Sequence, residues 1–308
     1  MKENDKSEHT GLGENSSPGI PLSDPALKTP MYTAINAGRY QRQELIKKIQ
    51  RKTNNYLLCY VSGFKTQINR DDIIGIMELL HNVPHNSNID LLLHTGGGDI
   101  DAADKIVTIL RKKVGEKGML RIIVPDYAKS AGTLIALAAE KIVMSDSSEL
   151  GPIDPQFPKR DGDGNALQHS VMNYLEAYET LCEKLRSTPN DVPAAVLLSK
   201  FDSTTVVLFN AISARARTLA EKYLNRYMFH ETNGKYTAIA SNLMDTKKWL
   251  SHGQMIGLDD AKEMGLEVTY LKNEDEDWQL YWSLYCLQRL AITDNQKLFE
   301  SDFASLPM

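Results

Sequence analysis

With 308 residues, the chain is long enough to bury one large core or two smaller ones. Its 35 Lys+Arg against 40 Asp+Glu leave a net charge of −5, which argues against general binding to nucleic acid or acidic membranes. Cys59, Cys182 and Cys286 lie far apart without metal-ligand spacing, so a reducing, cytoplasmic setting is expected.

Residues 1–30 are rich in Ser, Gly, Pro, Glu and Lys and read as a disordered tail. They lack the apolar centre of a signal peptide, and no run approaches the roughly 18 apolar residues that cross a bilayer, so no membrane insertion is expected. Residues 31–52 turn helical, with Ala37, Tyr40, Leu45 and Ile49 on a patchy apolar face; a solvated helix and an arm over a partner subunit both fit. Tyr56 to Val61 is the first buried strand. A helix capped by Asp71 or Asp72 follows, with Ile73, Ile76, Met77 and Leu80 on its inner face.

Ile89 to Thr95 is the next strand. It runs into Gly96-Gly97-Gly98 and a helix from about Asp99 that carries Ile100, Ala103, Val107, Leu110 and Val114 at helical spacing. Three glycines at such a turn permit close backbone approach and leave N–H groups for a ligand. Arg121 to Val124 is a third strand, ended by Pro125 and Asp126. A helix of small and aliphatic residues spans Ala131 to Glu140, and a strand follows at 141–144. This repeated βα unit predicts mainly parallel strands with right-handed crossovers. Both turns then lie at the carboxyl ends of strands, where α/β proteins gather their sites. Ser130 falls at the second turn. It is either an N-cap or a nucleophile facing the free N–H groups of a helix start.

Three blocks carry a resemblance to a known family: Leu92-Leu-His-Thr-Gly-Gly-Gly-Asp-Ile-Asp-Ala-Ala103, Ala128-Lys-Ser-Ala-Gly-Thr-Leu-Ile-Ala-Leu-Ala-Ala139 and Ser148-Glu-Leu-Gly-Pro-Ile-Asp-Pro-Gln156. In content, order and separation they resemble the serine dehydrogenase proteinase family of the Clp protease/crotonase superfamily, relatives of signal peptide peptidase A. The likeness covers roughly residues 56 to 272. It implies an α/β, Clp protease/crotonase-like spiral of repeated βα units, here with helical N- and C-terminal extensions. The expected division is 1–30 tail, 31–52 helical arm, 53–272 catalytic domain and 273–308 C-terminal helical extension. Carried over residue by residue, Ser130 is the nucleophile and Gly97, Gly98 and Ala131 supply the oxyanion hole. Gly96 departs from the family, where many relatives have proline.

The general base is left open. Clp proteases carry a histidine in the segment corresponding to 148–158, where this chain offers Asp154, held between two prolines. Asp154 is a structural turn residue or a site-lining group. Signal peptide peptidase A and its relatives use a buried lysine. Around Thr180, where some of them place it, this chain has none; Lys184, one turn further along the helix His169 to Arg186, is the first candidate, with Lys200 and Lys129 behind it. His252, in Trp249-Leu-Ser-His-Gly-Gln, is the other route. His94, just before the glycine turn, either lines the site or caps the strand end. Asp161-Gly-Asp-Gly-Asn165 starts like a calcium loop but lacks the closing glutamate, so it reads as a solvated turn and no metal is expected.

The long helix from about Thr204 to Met228, with Val207, Ile212, Leu219 and Tyr223 inside, suits assembly. A homo-oligomer is implied by the resemblance. The aromatic-rich stretch Trp278 to Ile292 needs a covering surface on its own core or on a neighbouring subunit. The function expected is a serine endopeptidase acting on a peptide or protein through a Ser130 acyl-enzyme, with a Lys or His base and without cofactors. A crotonase-like acyl-thioester enzyme and a non-catalytic oligomeric scaffold are the alternatives.

Overall fold

The computed structural model describes residues 28–160, 166–230 and 234–308. The Asp161–Asn165 turn and most of the N-terminal tail lie outside them. Two compact units divide after Ala37. The first carries helix α1 (Pro30–Ile35), capped by the Thr29 side chain, with Met31, Tyr32 and Ile35 exposed.

In the second unit, α2 (Ala37–Thr53), β1 (Tyr56–Ser62), α3 (Asp72–Leu79), β2 (Ile89–His94), α4 (Ile100–Val114) and β3 (Leu120–Ile123) come first. The short β4 (Tyr127–Ala128), α5 (Ala131–Leu137), β5 (Lys141–Met144), β6 (Glu149–Leu150) and the hairpin strands β7 (Gln156–Arg160) and β8 (Ala166–Ser170) follow. Then come α6 (Val171–Ser187), α7 (Val192–Leu198) and α8 (Ser203–Tyr223), which a single π-helical turn extends to Met228. The chain closes with α9 (Tyr236–Leu243), α10 (Leu258–Met264), β9 (Val268–Tyr270), α11 (Glu276–Leu290), β10 (Lys297–Glu300) and β11 (Ser305–Pro307).

The central sheet has the order β11-β10-β1-β2-β3-β5-β9; β1, β2, β3, β5 and β9 run parallel, and β10 and β11 join antiparallel at one edge. The expected parallel βα core is therefore present. The segment 273–308 supplies helix α11 and the two antiparallel strands β10 and β11.

Strand alternation divides the core. Leu58, Tyr60, Leu91, Leu93, Ile122 and Ile142 face α3, α4, α5 and α8. Leu57, Cys59, Val61, Leu92, Ile123 and Val143 face α2 and α11, meeting Ile46, Ile49, Trp278, Tyr281, Leu284 and Tyr285. The aromatic helix α11 thus docks on its own sheet. Each such side chain, fully buried, contributes roughly 1.5–3 kcal/mol.

Two helical faces differ from the sequence expectation. Helix α3 turns Asp72, Gly75, Ile76 and Leu79 inward, leaving Met77 52% exposed; one residue along a helix is about 100° of rotation. Helix α8 buries Val206, Phe209, Ala216, Leu219, Ala220 and Tyr223, so Val207 stands outward, 70% exposed. No single helix among the described residues is long and apolar enough to cross a membrane.

Candidate active site

Strands β2 and β3 end side by side, and the two turns that follow are stitched by backbone. The Thr95 N–H donates to Tyr127 O at 3.0 Å, and the Lys129 N–H donates to Thr95 O at 3.0 Å. Beneath them the buried Thr133 hydroxyl lies 2.8 Å from Ala128 O and 2.9 Å from Gly151 O, and it accepts from the Gly151 N–H at 3.1 Å. These bonds hold Ser130 at φ 52° and ψ −114°, a left-handed conformation that a non-glycine residue adopts at a cost of about 1–3 kcal/mol. Ser130 occupies the N-cap position of α5, as its place in the sequence allows, but its side chain makes no capping hydrogen bond. Its hydroxyl stands in a cleft of about 920 Å³.

Gly98 and Ala131 line the same cleft. Ala131 is the first residue of α5, where an N–H has no intrahelical partner, and the Gly98 N–H is unpaired among the described residues. Gly97 plays another part. Its N–H donates to Thr95 Oγ1 at 3.2 Å, and its Cα packs directly under Ser130: a Cβ there would lie 2.8 Å from the serine Cβ. Of the three residues expected to supply oxyanion donors, Gly98 and Ala131 line the cleft, and Gly97 packs against the serine.

His252 lines the cleft, half-buried, with no partner for its Nδ1 among the described residues. Burial, followed by the positive charge of Lys129, draws the imidazole below its ordinary value of 6.5, so it is neutral near pH 7. Lys129 itself points away from a base's role. Its ammonium pairs with Glu149 at 3.0 Å and donates to Leu150 O at 3.1 Å, Gln254 O at 3.3 Å and Gly253 O at 3.4 Å. It thereby ties the loop that carries His252 to β6 and to the turn that carries Ser130. No local pattern signals this strut, because two of its partners are main-chain carbonyls, at Gly253 and Gln254, more than 100 residues away.

Asp154 also lines the cleft and is 4% exposed. Its oxygens are taken by Gln156 Nε2 at 2.6 Å and the Ser170 hydroxyl at 2.8 Å, which fasten the β7–β8 hairpin. Burial raises its carboxyl above the usual value, offset in part by the bonds from Ser170, the Met172 N–H and Gln156. With both oxygens engaged and the His252 Nδ1 free, no His252–Asp154 pair is formed.

Two candidates lie elsewhere. Lys184 sits on the exposed side of α6, paired with Asp191 at 3.0 Å, and does not line the cleft. The helix is phased by Val171 and Leu175, which turns position 184 toward the start of α7. His94 shares the sheet face of Leu92, opposite to Ser130. There it lies between the rings of Tyr127 and Tyr285, centroids 4.1 and 5.0 Å away, and burial draws its imidazole to about 3. Lys200, at the break between α7 and α8, is exposed. Among the described residues no cluster of His, Cys, Asp and Glu has the arrangement of a metal site.

A mostly parallel sheet with a cleft at the carboxyl ends of its strands, roofed by helices, makes this a ClpP-like α/β protein. The chain belongs to the ClpP-like SDH-type serine proteinase family, whose model matches residues 33–281, and this places it among the serine proteinases, a class of hydrolases. Two uncharacterized proteins of Methanocaldococcus jannaschii are similar. MJ0137 is 27% identical over 244 residues, 74% of this chain and 73% of that protein. MJ1495 is 27% identical over 198 residues, 64% of this chain and 58% of that protein. Among solved structures, two mutants of the 1510-N membrane-bound stomatin-specific protease, the second in complex with a substrate peptide, are similar at 19% and 18% identity. They cover 78% and 75% of this chain and 93% and 98% of theirs, with TM-scores of 0.40 and 0.31.

Proposed function

We propose that the chain is a serine endopeptidase in which Ser130 is the nucleophile and His252 the general base. Ser130 Oγ attacks a peptide carbonyl carbon lying against the N–H groups of Gly98 and Ala131. His252 takes the serine proton and passes it to the leaving amine as the C–N bond breaks, and water then hydrolyses the ester to release the acid. The observation that carries this reading is the strained, uncapped Ser130, its hydroxyl open to a cleft shared with unpaired backbone donors. Strain of this kind gathers at functional positions. His252 is preferred to Lys184 because it shares the cleft, is neutral near pH 7 and keeps a ring nitrogen free. The substrate is a peptide or protein in an extended conformation, and a homo-oligomeric assembly belongs to the same proposal.

The test is labelling with a fluorophosphonate probe, followed by mass-spectrometric location of the adduct. Modification of Ser130, lost in Ser130→Ala and slowed by about a hundredfold or more in His252→Ala, supports the proposal. Equal labelling of the Ser130→Ala variant, or none between about pH 6 and 9, overturns it. Acyl-CoA binding without labelling would instead favour an acyl-thioester enzyme.

A further inference from the structure

The glycine turn is held on its outer side by a segment that lines no part of the nucleophile's own elements. The Ile68 N–H donates to Gly97 O at 2.8 Å, and the Asp99 N–H donates to Ile68 O at 2.9 Å, so Ile68 brackets Gly98 from both sides. The fit allows no play, since a Cβ on Gly98 would lie 2.4 Å from Ile68 O. What fixes Ile68 is the next residue but one in the chain of contacts. The Asn69 N–H donates to Asp72 Oδ2 at 2.9 Å, and the same oxygen accepts from the Tyr60 hydroxyl at 2.6 Å. The other oxygen, Oδ1, accepts from the Lys297 ammonium at 2.5 Å. Asp72 is 1% exposed and Lys297 6%.

A buried carboxylate with one partner removed is left poorly compensated and pulls its remaining partners out of place. Here those partners are the hydroxyl of a core tyrosine and the backbone next to Ile68. Neither Asp72 nor Lys297 lines the catalytic cleft, so neither touches a substrate there. A uniquely placed buried ion pair that ends on the backbone clamp of a donor turn has a ready role in fixing that turn.

We infer that Asp72 and Lys297 are positioning residues for the oxyanion-binding turn, with strand β10 delivering the lysine that holds Ile68 against Gly97 and Gly98. The kinetic part of this inference rests on the serine-peptidase reading; the structural part does not. Fixing Gly98 places its N–H where charge develops on the attacked carbonyl, and a displacement of about 1 Å at such a donor costs on the order of a hundredfold in rate.

The experiment compares Lys297→Met with the full-length wild type by residue-resolved amide exchange and by steady-state kinetics normalised to titrated Ser130. Lys297→Arg serves as the rescue variant. Leu284→Val, which thins the opposite core layer, serves as the stability control. Lys297→Gln, which keeps a donor without the charge, gives the same comparison if the Met variant does not fold. Exchange at the Ile68 and Asp99 amides should rise about tenfold relative to other sheet amides, kcat should fall about tenfold or more with KM within about twofold, and Lys297→Arg should recover most of both. The control should leave both unchanged at a comparable loss of thermal midpoint. Wild-type exchange at Ile68 and Asp99 in the Lys297→Met variant, or an equal change in the Leu284→Val control, overturns the inference. If the wild type cleaves and labels with nothing, the peptidase reading fails alone, and the exchange comparison still decides whether the ion pair holds the turn.

Discussion

Alanine placed in turn at Gly96, Gly97 and Gly98 should give three different outcomes, although the three glycines are neighbours in one turn. At Gly98, φ is +147° and the new Cβ would meet Ile68 O at 2.4 Å and Ile68 N at 2.5 Å. Ile68 cannot retreat without losing its bond to Gly97 O at 2.8 Å. Left-handed strain of about 1–2 kcal/mol and overpacking of about 1–3 kcal/mol add to roughly 2–5 kcal/mol. At Gly97, φ is +99° and the Cβ would lie 2.8 Å from both Lys129 O and the Ser130 Cβ. The stability loss is similar, about 2–4 kcal/mol, and the push falls on the nucleophile itself, so labelling of Ser130 should slow by about a hundredfold. At Gly96 nothing lies within 4 Å and φ is outside the left-handed range. Alanine there should be neutral or stabilise by about 0.4–1 kcal/mol, through a less mobile unfolded chain. Denaturant unfolding of the three variants, paired with probe-labelling rates per folded molecule, is the assay. Equal losses at all three positions, or full stability and labelling in Gly97→Ala, would refute the geometric reasoning.

His94 should make the protein acid-sensitive. Its folded pKa is drawn down to about 3, so between that value and the unfolded 6.5 the unfolded chain binds a proton that the folded chain does not, and stability falls as pH falls through this window. From pH 7 to pH 5 the contribution is about 2 kcal/mol, and His94→Gln should remove it; a variant with the wild-type pH slope between those values would contradict this. Lys129→Met should raise the His252 pKa by lifting a repelling charge, moving the acid limb of kcat/KM upward toward 6.5; an unmoved limb would mean that the limb reports another group. Lys184→Ala should leave the labelling rate within about twofold, because the side chain is exposed and paired with Asp191; a hundredfold loss would return it to the mechanism.

The strands and the two turns were legible because a parallel core is written as β-branched and aliphatic runs closed by turn residues. Ile89–His94, Leu120–Ile123 and Lys141–Met144 are such runs, within a residue of where periodicity put them. The antiparallel strands β10 and β11 were not. Lys297–Glu300 holds only two apolar residues, and its lysine and glutamate are buried through partners at Asp72 and Arg42, far off in sequence. The same difficulty left the choice between Lys184 and His252 open. The apolar face of α6 was read correctly at Val171 and Leu175, but where position 184 then points depends on the start of α7, where Asp191 takes its ammonium. His252 stands in an irregular loop, placed by the Leu150–Ile256 pairing and by the ammonium of Lys129. No local signal encodes those contacts.

Ser130 itself shows what a sequence leaves undecided even when the position is right. Among the described residues, four non-glycine residues adopt positive φ: Asn54, Asn86, His230 and Ser130. Asparagine and histidine are the types that tolerate this region, whereas serine is not favoured there. A serine placed to cap α5 would have extended backbone and a side chain turned onto the second or third N–H of the helix. Two main-chain bonds between the turns, and the Thr133 hydroxyl below, hold it in the other geometry at a cost that capping would have avoided. The cost is met by bonds at Thr95, just past β2, and at Ala128, in β4. Whether the Ser130 side chain caps α5 or is left uncapped is thus decided by the pairing of two turns, and a reading of either turn alone has no access to it.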